Sequence, residues 1–344
     1  MHFKKELKIK YKINKISEID TAHLSEFYKK TFYQRYKSLT NNWRWWYRVG
    51  YNEHEPIILT LDNKVIGQAA YIPTSLNILG NKIPAIWFVD YAILPEYMGR
   101  GLGKFLCEEW MKICPNQMAI CSPYSLRVLK KFGWEENLST QRLVKPINIF
   151  KFLPIIKTLK LNFLDKTIRY FVKKKYSNNI LIKPFGITNN FNVINNSFKL
   201  KKCEKKNDLA QIIRDEKWLY WRLMECPYKK DIFFFELNNN FAIVHIFLVK
   251  KIKKLHVLYT YYTEEFQENE LLLQIINWSL NNNIDLVWAV DRKKDLANIF
   301  PKILNKPTQY ACWSSDKKIF EILKKGLSDF HGIDSDNDTS LYIE

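Results

Sequence analysis

Apolar positions in the first third of the chain repeat with two different periods. "LKIKYKINKI" (Leu7–Ile16) alternates apolar and polar residues and predicts a first strand. "DTAHLSEFYKKTF" follows, with Asp20 or Thr21 as the N-cap of a helix that places Leu24, Phe27 and Tyr28 on one face. The stretch from Glu55 to Leu94 predicts three strands, punctuated by "DNK" and by "LGNK", where Gly80 and Asn81 mark a hairpin. "GLGKFLCEEWMKI" returns to a helical period through Leu102, Phe105, Leu106, Trp110 and Ile113. "NQMAIC" is then a short buried strand, and "PYSLRVLKKFGW" a helix closed by Gly133. This order is that of an α/β domain with a mixed sheet and one strand–glycine loop–helix crossover.

The pattern loosens between about 145 and 206 and then resumes. "NDLAQIIRDEKWLYWRLM" is helical, and Asp231–Tyr262 forms a strand meander. "ENELLLQIINWSL" is a helix, "IDLVWAV" a strand and "KKDLANIFPKIL" a helix. "NNWRWWYRVG" before the first meander is echoed by "EKWLYWRLME" before the second, which points to duplication, and tryptophans at this spacing read as core. The expected organisation is therefore a first α/β domain over 1–144, a basic connecting segment over 145–206 and a second, related domain over 207–344.

Charge changes this picture in one place. The chain of 344 residues has a net charge of +19, and Lys151–Lys206 alone holds fourteen basic and two acidic residues. Such a segment suits an anionic partner, with peripheral contact to an anionic membrane as one option and nucleic acid not expected. A Lys- and Asn-rich composition is the plainer explanation. The N-terminus lacks a signal-peptide core and no apolar run reaches membrane-spanning length, so a cytoplasmic location is expected. Six cysteines show no metal-ligand spacing and are expected as reduced thiols, with no metal site.

Candidate chemistry concentrates in "LPEYMGRGLGKFL" (Leu94–Leu106). It is not a P-loop, because Phe105 follows Gly103-Lys104, and it is not a dinucleotide fingerprint, because Lys104 or Leu106 stands where the last glycine is needed. Successive N–H groups entering a helix can still cradle a pyrophosphate, with Arg100 and Lys104 adding charge. The stretch closely resembles motif A of the GNAT superfamily of acyl-CoA-dependent N-acyltransferases, at Met98, Gly101 and Gly103 and in the lead-in Pro95–Tyr97. "SLRVLKKFGW" resembles the helix that follows in that family, and the strand order agrees. The resemblance covers residues 8–140 well and 207–312 as pattern only.

That resemblance implies acetyl-CoA or another acyl-CoA as cosubstrate. Its pyrophosphate would sit on the main chain of Met98, Gly99, Arg100, Gly101, Leu102, Gly103 and Lys104. Ile93 and Leu94 would pair with the pantetheine amides, and the splay between Phe88–Leu94 and Gln117–Cys121 would admit the thioester. Two positions depart from the family: Met98 replaces the usual Gln or Arg, and Leu129 replaces a tyrosine that serves as acid. Tyr124 is the substitute acid, with Ser122 a lesser one. Asp90, in the apolar "IWFVDYAIL", is the candidate base; a contact to a substrate ammonium or a structural pairing are the other readings of it. His54 reads as a solvated loop residue, and His245 and His256 as packed strand residues. The second half has only "QENE" where a glycine loop belongs, which implies a GNAT-like unit without cofactor. The tail residues Asp334, Asp336 and Asp338 miss the calcium-loop pattern and read as a solvated acidic tail, or as carboxylates for a cationic partner.

The expectation is an N-acyltransferase acting on a small primary amine, an amino sugar of surface polysaccharide among the candidates. A Fem-type aminoacyl transferase using charged tRNA, and a non-catalytic acyl-CoA-sensing or basic docking module, are the alternatives.

Overall fold

The computed structural model describes residues 11–51, 53–137, 140–148, 182–200, 209–249, 251–262, 265–291, 306–307 and 309–334. The described chain begins with strand β1 (Lys12–Lys15) and helix α1 (Thr21–Thr31). The Asp20 side chain caps α1 by accepting from the Ala22 N–H at 2.7 Å, and Leu24, Phe27 and Tyr28 are its buried residues. A second helix, α2 (Tyr36–Trp46), was not anticipated; it bends at Asn42 and buries Trp43, Trp45 and Trp46.

The three expected strands are β2 (Ile57–Leu61), β3 (Lys64–Ile78) and β4 (Asn81–Ile93), an antiparallel meander. Both hairpins turn through two residues of positive φ, Asp62-Asn63 and Leu79-Gly80, the geometry that matches strand twist. A 3-10 turn (Pro95–Tyr97) then leads to α3 (Leu102–Met111), β5 (Asn116–Cys121), α4 (Pro123–Lys130) and β6 (Glu135–Asn137).

The remaining elements are β7 (Gln141–Pro146), β8 (Pro184–Gly186), α5 (Ile187–Leu200), β9 (Gln211–Ile212) and α6 (Glu216–Leu219), which runs on as a π-turn over Tyr220–Met224. After them come β10 (Ile232–Leu237), β11 (Asn240–Val249), β12 (Ile252–Tyr261), α7 (Glu265–Asn281), β13 (Leu286–Asp291), β14 (Lys306–Pro307), β15 (Gln309–Ser314) and α8 (Lys317–Lys324).

These strands form two mixed sheets flanked by helices. The first runs β1-β2-β3-β4-β5-β15-β6, with β9 paired to β3; the second runs β14-β7-β13-β12-β11-β10-β8. The expected divisions at 144/145 and 206/207 are crossed by these pairings. Strand β15, near the C-terminal end of the described chain, sits between β5 and β6 of the first sheet. In exchange, β7 sits between β13 and β14 of the second. Most of the basic segment, including Lys173–Lys175, lies outside the described residues.

The tryptophan echo is a symmetric joint between the halves. Trp45 Nε1 donates to the Trp221 carbonyl and Trp221 Nε1 to the Trp45 carbonyl, both at 2.9 Å. Each ring also carries a guanidinium over it, Arg222 on Trp45 and Arg48 on Trp221. Reading those aromatics as core is correct. His245 and His256 are buried as expected, the first stacked on Tyr228 and the second on Trp288.

Asp334 is a correction. Rather than belonging to a solvated tail it is buried, and both its oxygens accept from Arg214, at 2.7 and 2.5 Å. Arg214 also bonds the Asp329 carboxylate at 2.6 Å, so two acids face one buried guanidinium. Asp336 and Asp338 lie outside the described residues.

Candidate active site

Strand β4 pairs with β3 along its length, but on its other side it pairs with β5 only at Ile86↔Gln117, Trp87↔Met118 and Phe88↔Ala119. Beyond Phe88 the two strands part. A bulge marks the place: Gln68 pairs with Ala92 and Ala70 with Val89, so Ala69 alone faces both Asp90 and Tyr91. An extra residue bends and twists the strand that carries it. The gap is a cleft of about 600 Å³, floored by Val89–Ile93 and by Ala119–Cys121.

The glycine loop closes one end of this cleft. Gly99 and Gly101 have φ of +76° and +80°, which side chains rarely adopt, and a Cβ on either would point into open space. Gly101 is the N-cap of α3 and offers no capping side chain, so the first-turn N–H groups of Leu102, Gly103 and Lys104 have no side-chain cap. They form the positive end of a ten-residue helix. Arg100 folds back on the loop, donating to the Glu96 carbonyl at 3.1 Å and covering the Tyr97 ring. Met98 is exposed and lines the cleft, as do Gly99, Gly103 and Lys104.

Gly103 is a glycine for another reason. A Cβ there would lie 2.7 Å from the Tyr91 hydroxyl, which itself donates to the Gly103 carbonyl at 2.7 Å. That contact ties the bulge of β4 to the start of α3. Leu94 and Leu102 are buried, and the Leu94 N–H donates to the Ile66 carbonyl at 2.8 Å. Strand alternation then turns the main chain of Ile93, rather than that of Leu94, toward the cleft.

Asp90 stands on the bulge with φ of +47°. A non-glycine residue in that region costs about 1–3 kcal/mol, so surrounding contacts must hold it. Its side chain is 4 % exposed, its Oδ1 is ion-paired with Arg35 Nη1, and its Oδ2 accepts from the Tyr47 hydroxyl at 3.1 Å. Its carbonyl accepts from Gln68 Nε2 at 3.2 Å. The same Nε2 donates to the Tyr47 oxygen, and Gln68 Oε1 accepts from the Tyr28 hydroxyl, both at 2.9 Å. Burial pushes both phenols far above their usual range, so they stay protonated donors. Of the three readings of Asp90, the pairing is what the geometry displays.

Tyr124 lies in the first turn of α4 and lines the cleft, two-thirds exposed, with Arg127 over its ring. Ser122 is the N-cap of α4, accepting from the Ser125 N–H at 3.1 Å. Cys107 also reaches the cleft from α3; burial pushes its thiol up to about 12. His54 is not among the cleft-lining residues. Sequence reasoning missed Arg35, Tyr47, Gln68, Tyr28 and Tyr91.

Residues 12–136 match a family model described as an acetyltransferase (GNAT) domain. Over those residues, about a third of the chain, it is similar to a GNAT domain. No curated protein matches it in sequence. Solved structures resemble it across both sheets. A GCN5-related N-acetyltransferase from Kribbella flavida aligns at 11 % identity and TM-score 0.57, covering 88 % of this chain and 70 % of that one. Another, from Anabaena variabilis, aligns at 12 % and 0.57, covering 88 % and 72 %. The N-myristoyltransferase of Saccharomyces cerevisiae, solved with myristoyl-CoA, aligns at 11 % and 0.54, covering 88 % and 79 %. At these identities the likeness is one of fold. The matched residues run from β1 into β6, and their sheet is completed by β15 from outside the match.

Proposed function

We propose that the protein is an acyl-CoA-dependent N-acyltransferase that passes an acetyl group directly to a primary amine of a small substrate. The observation that carries this is the parting of β4 from β5 just where the cleft meets an uncapped, glycine-entered helix N-terminus. The open space at Gly99 and Gly101 fits a pyrophosphate brought close to the main chain. The Ile93 main chain suits the amides of a pantetheine arm. An N-myristoyltransferase of similar fold that binds an acyl-CoA is consistent with this.

In direct transfer the neutral amine attacks the thioester carbonyl, and the C–N bond forms as the C–S bond breaks. The nitrogen gives one proton to solvent and the sulfur takes one from Tyr124, which solvent then reprotonates. A thiol leaves readily because its pKa is about 8.5, so Tyr124 as acid has modest work to do. Cys107 is the thiol that would carry the acyl group in a two-step route. A group held near 12 stays a thiol at neutral pH and is a poor nucleophile, which favours the direct route. Asp90, engaged on both oxygens, acts as a fixed strut for the bulge.

Calorimetric titration of the full chain with acetyl-CoA tests the reading. Micromolar-class binding that is lost in Gly101→Leu is expected; no heat of binding from a folded chain would refute it.

A further inference from the structure

The bulge of β4 removes the Asp90 carbonyl from the regular ladder with β3, and a buried carbonyl left without a partner costs free energy. Gln68 supplies that partner. Its side chain is fully buried, on the β3 residue that pairs with Ala92 beside the bulge, and Nε2 reaches the Asp90 oxygen at 3.2 Å. Its other amide end is fixed too, because Oε1 accepts from Tyr28. A flipped amide would set its oxygen against the Asp90 carbonyl, two acceptors with no proton between them, and would give up the Tyr28 hydroxyl's donation as it now stands.

Peptide planarity gives this bond a consequence. No described peptide is cis, so the carbonyl of Asp90 and the N–H of Tyr91 point in opposite directions from one plane. Holding the oxygen toward Gln68 aims the Tyr91 N–H away from it. Tyr91 is held from its far end as well, by the hydroxyl contact to Gly103. The peptide between the two bulge residues is therefore clamped through its carbonyl on one side and through a side chain on the other, and Val89–Ile93 line the cleft.

We infer that Gln68 is a positioning residue for acyl transfer: by holding the Asp90 carbonyl it sets the direction of the Tyr91 N–H, the donor that polarises the thioester carbonyl in the cleft. Tyr28 acts one step further out by fixing the Gln68 amide. Neither touches the reacting atoms. This rests on the acyl-CoA reading above. Donors preset toward a developing oxyanion are worth about 10²–10³ in rate, and a misdirected N–H forfeits most of that.

The test is isotope-edited infrared spectroscopy of carbonyl-labelled acetyl-CoA bound to the full chain, beside calorimetry on the same samples. Wild type is expected to bind and to shift the thioester carbonyl band to lower frequency. Gln68→Met, close in shape but without hydrogen bonds, is expected to bind with unchanged affinity and to lose most of that shift. Tyr28→Phe is expected to lose a smaller part, and it carries the test if Gln68→Met does not fold. Amide hydrogen exchange in the free protein supplies a ligand-free readout, with faster exchange around Asp90–Tyr91 expected in both variants. A wild-type shift kept in full by a folded variant overturns the inference and leaves the acyl-CoA reading standing. Failure of wild type to bind acetyl-CoA overturns both.

Discussion

In both sheets a bulged strand runs parallel to the strand that follows it through a helix: β4 beside β5, and β12 beside β13. On β12 the register shifts between Ile243↔Tyr259 and Val244↔Val257, leaving Leu258 as the extra residue. The ladders then end alike, at Phe88↔Ala119 and at Val257↔Ala289. In the first sheet a cleft opens beyond. In the second, the turn Gly332–Asp334 packs against both strands, so closely that a Cβ on Gly332 would lie 2.5 Å from His256 Nε2. Arg214 and Asp334 pin that turn. The loops differ as well: α7 starts at Glu265 with no glycine before it, and "QENE" lies inside the helix. Its Glu268 is spent internally, accepting from Thr260 at 2.7 Å. A shared backbone plan thus gives a binding cleft only where small residues leave room and the chain itself does not fill it.

The largest way to break this contrast is Asp334→Ala. It leaves the buried Arg214 short of one acid and should cost about 3–5 kcal/mol in a denaturant melt. Next is Gly101→Leu, where lost charge-assisted bonds, worth about 1.5–3 kcal/mol each, should weaken acetyl-CoA binding about 100-fold. The same variant should lose only about 1–2 kcal/mol of stability from backbone strain, and a much larger loss would mean that the loop is structural. Tyr124→Phe should lower turnover about tenfold with acetyl-CoA affinity intact, the small size reflecting a good leaving group. Smallest is Cys107→Ala: steady-state rates should match wild type, and dead enzyme would point to an acyl-cysteine route instead.

Much of the first sheet was legible because its signals are local. Asp20 caps where an Asp before an apolar period should, and both hairpin turns carry residues tolerant of positive φ. Helix α2 was not legible, since Thr40-Asn41-Asn42 are poor helix formers and its N-cap Arg35 makes no capping bond. At the site, the glycine loop could be read but the clamp could not. Tyr28 and Gln68 are forty residues apart, and Arg35 and Asp90 fifty-five. One signal was available: Gln68 is the lone polar residue in "VIGQAAYI", and a polar residue inside a buried strand needs a partner. Gly103 has a second duty that the loop pattern does not show, close packing against the Tyr91 hydroxyl. Asp334 misled because its polar neighbours say nothing of an arginine 120 residues away.

The traded strands bear on how the protein is made. Chains emerge from the ribosome N-terminal end first, at about 5–20 residues per second. Strand β5, one wall of the cleft, waits for a partner that is not synthesised until residues 309–314 appear. Until then its outer edge is open to any extended chain nearby, a known route to aggregation. The cleft-bearing sheet therefore cannot mature while the rest is still being translated, and a product stopped before β15 would lack a finished wall. The cleft wall is complete only once residues 309–314 have been made, which makes β15 a checkpoint on β5.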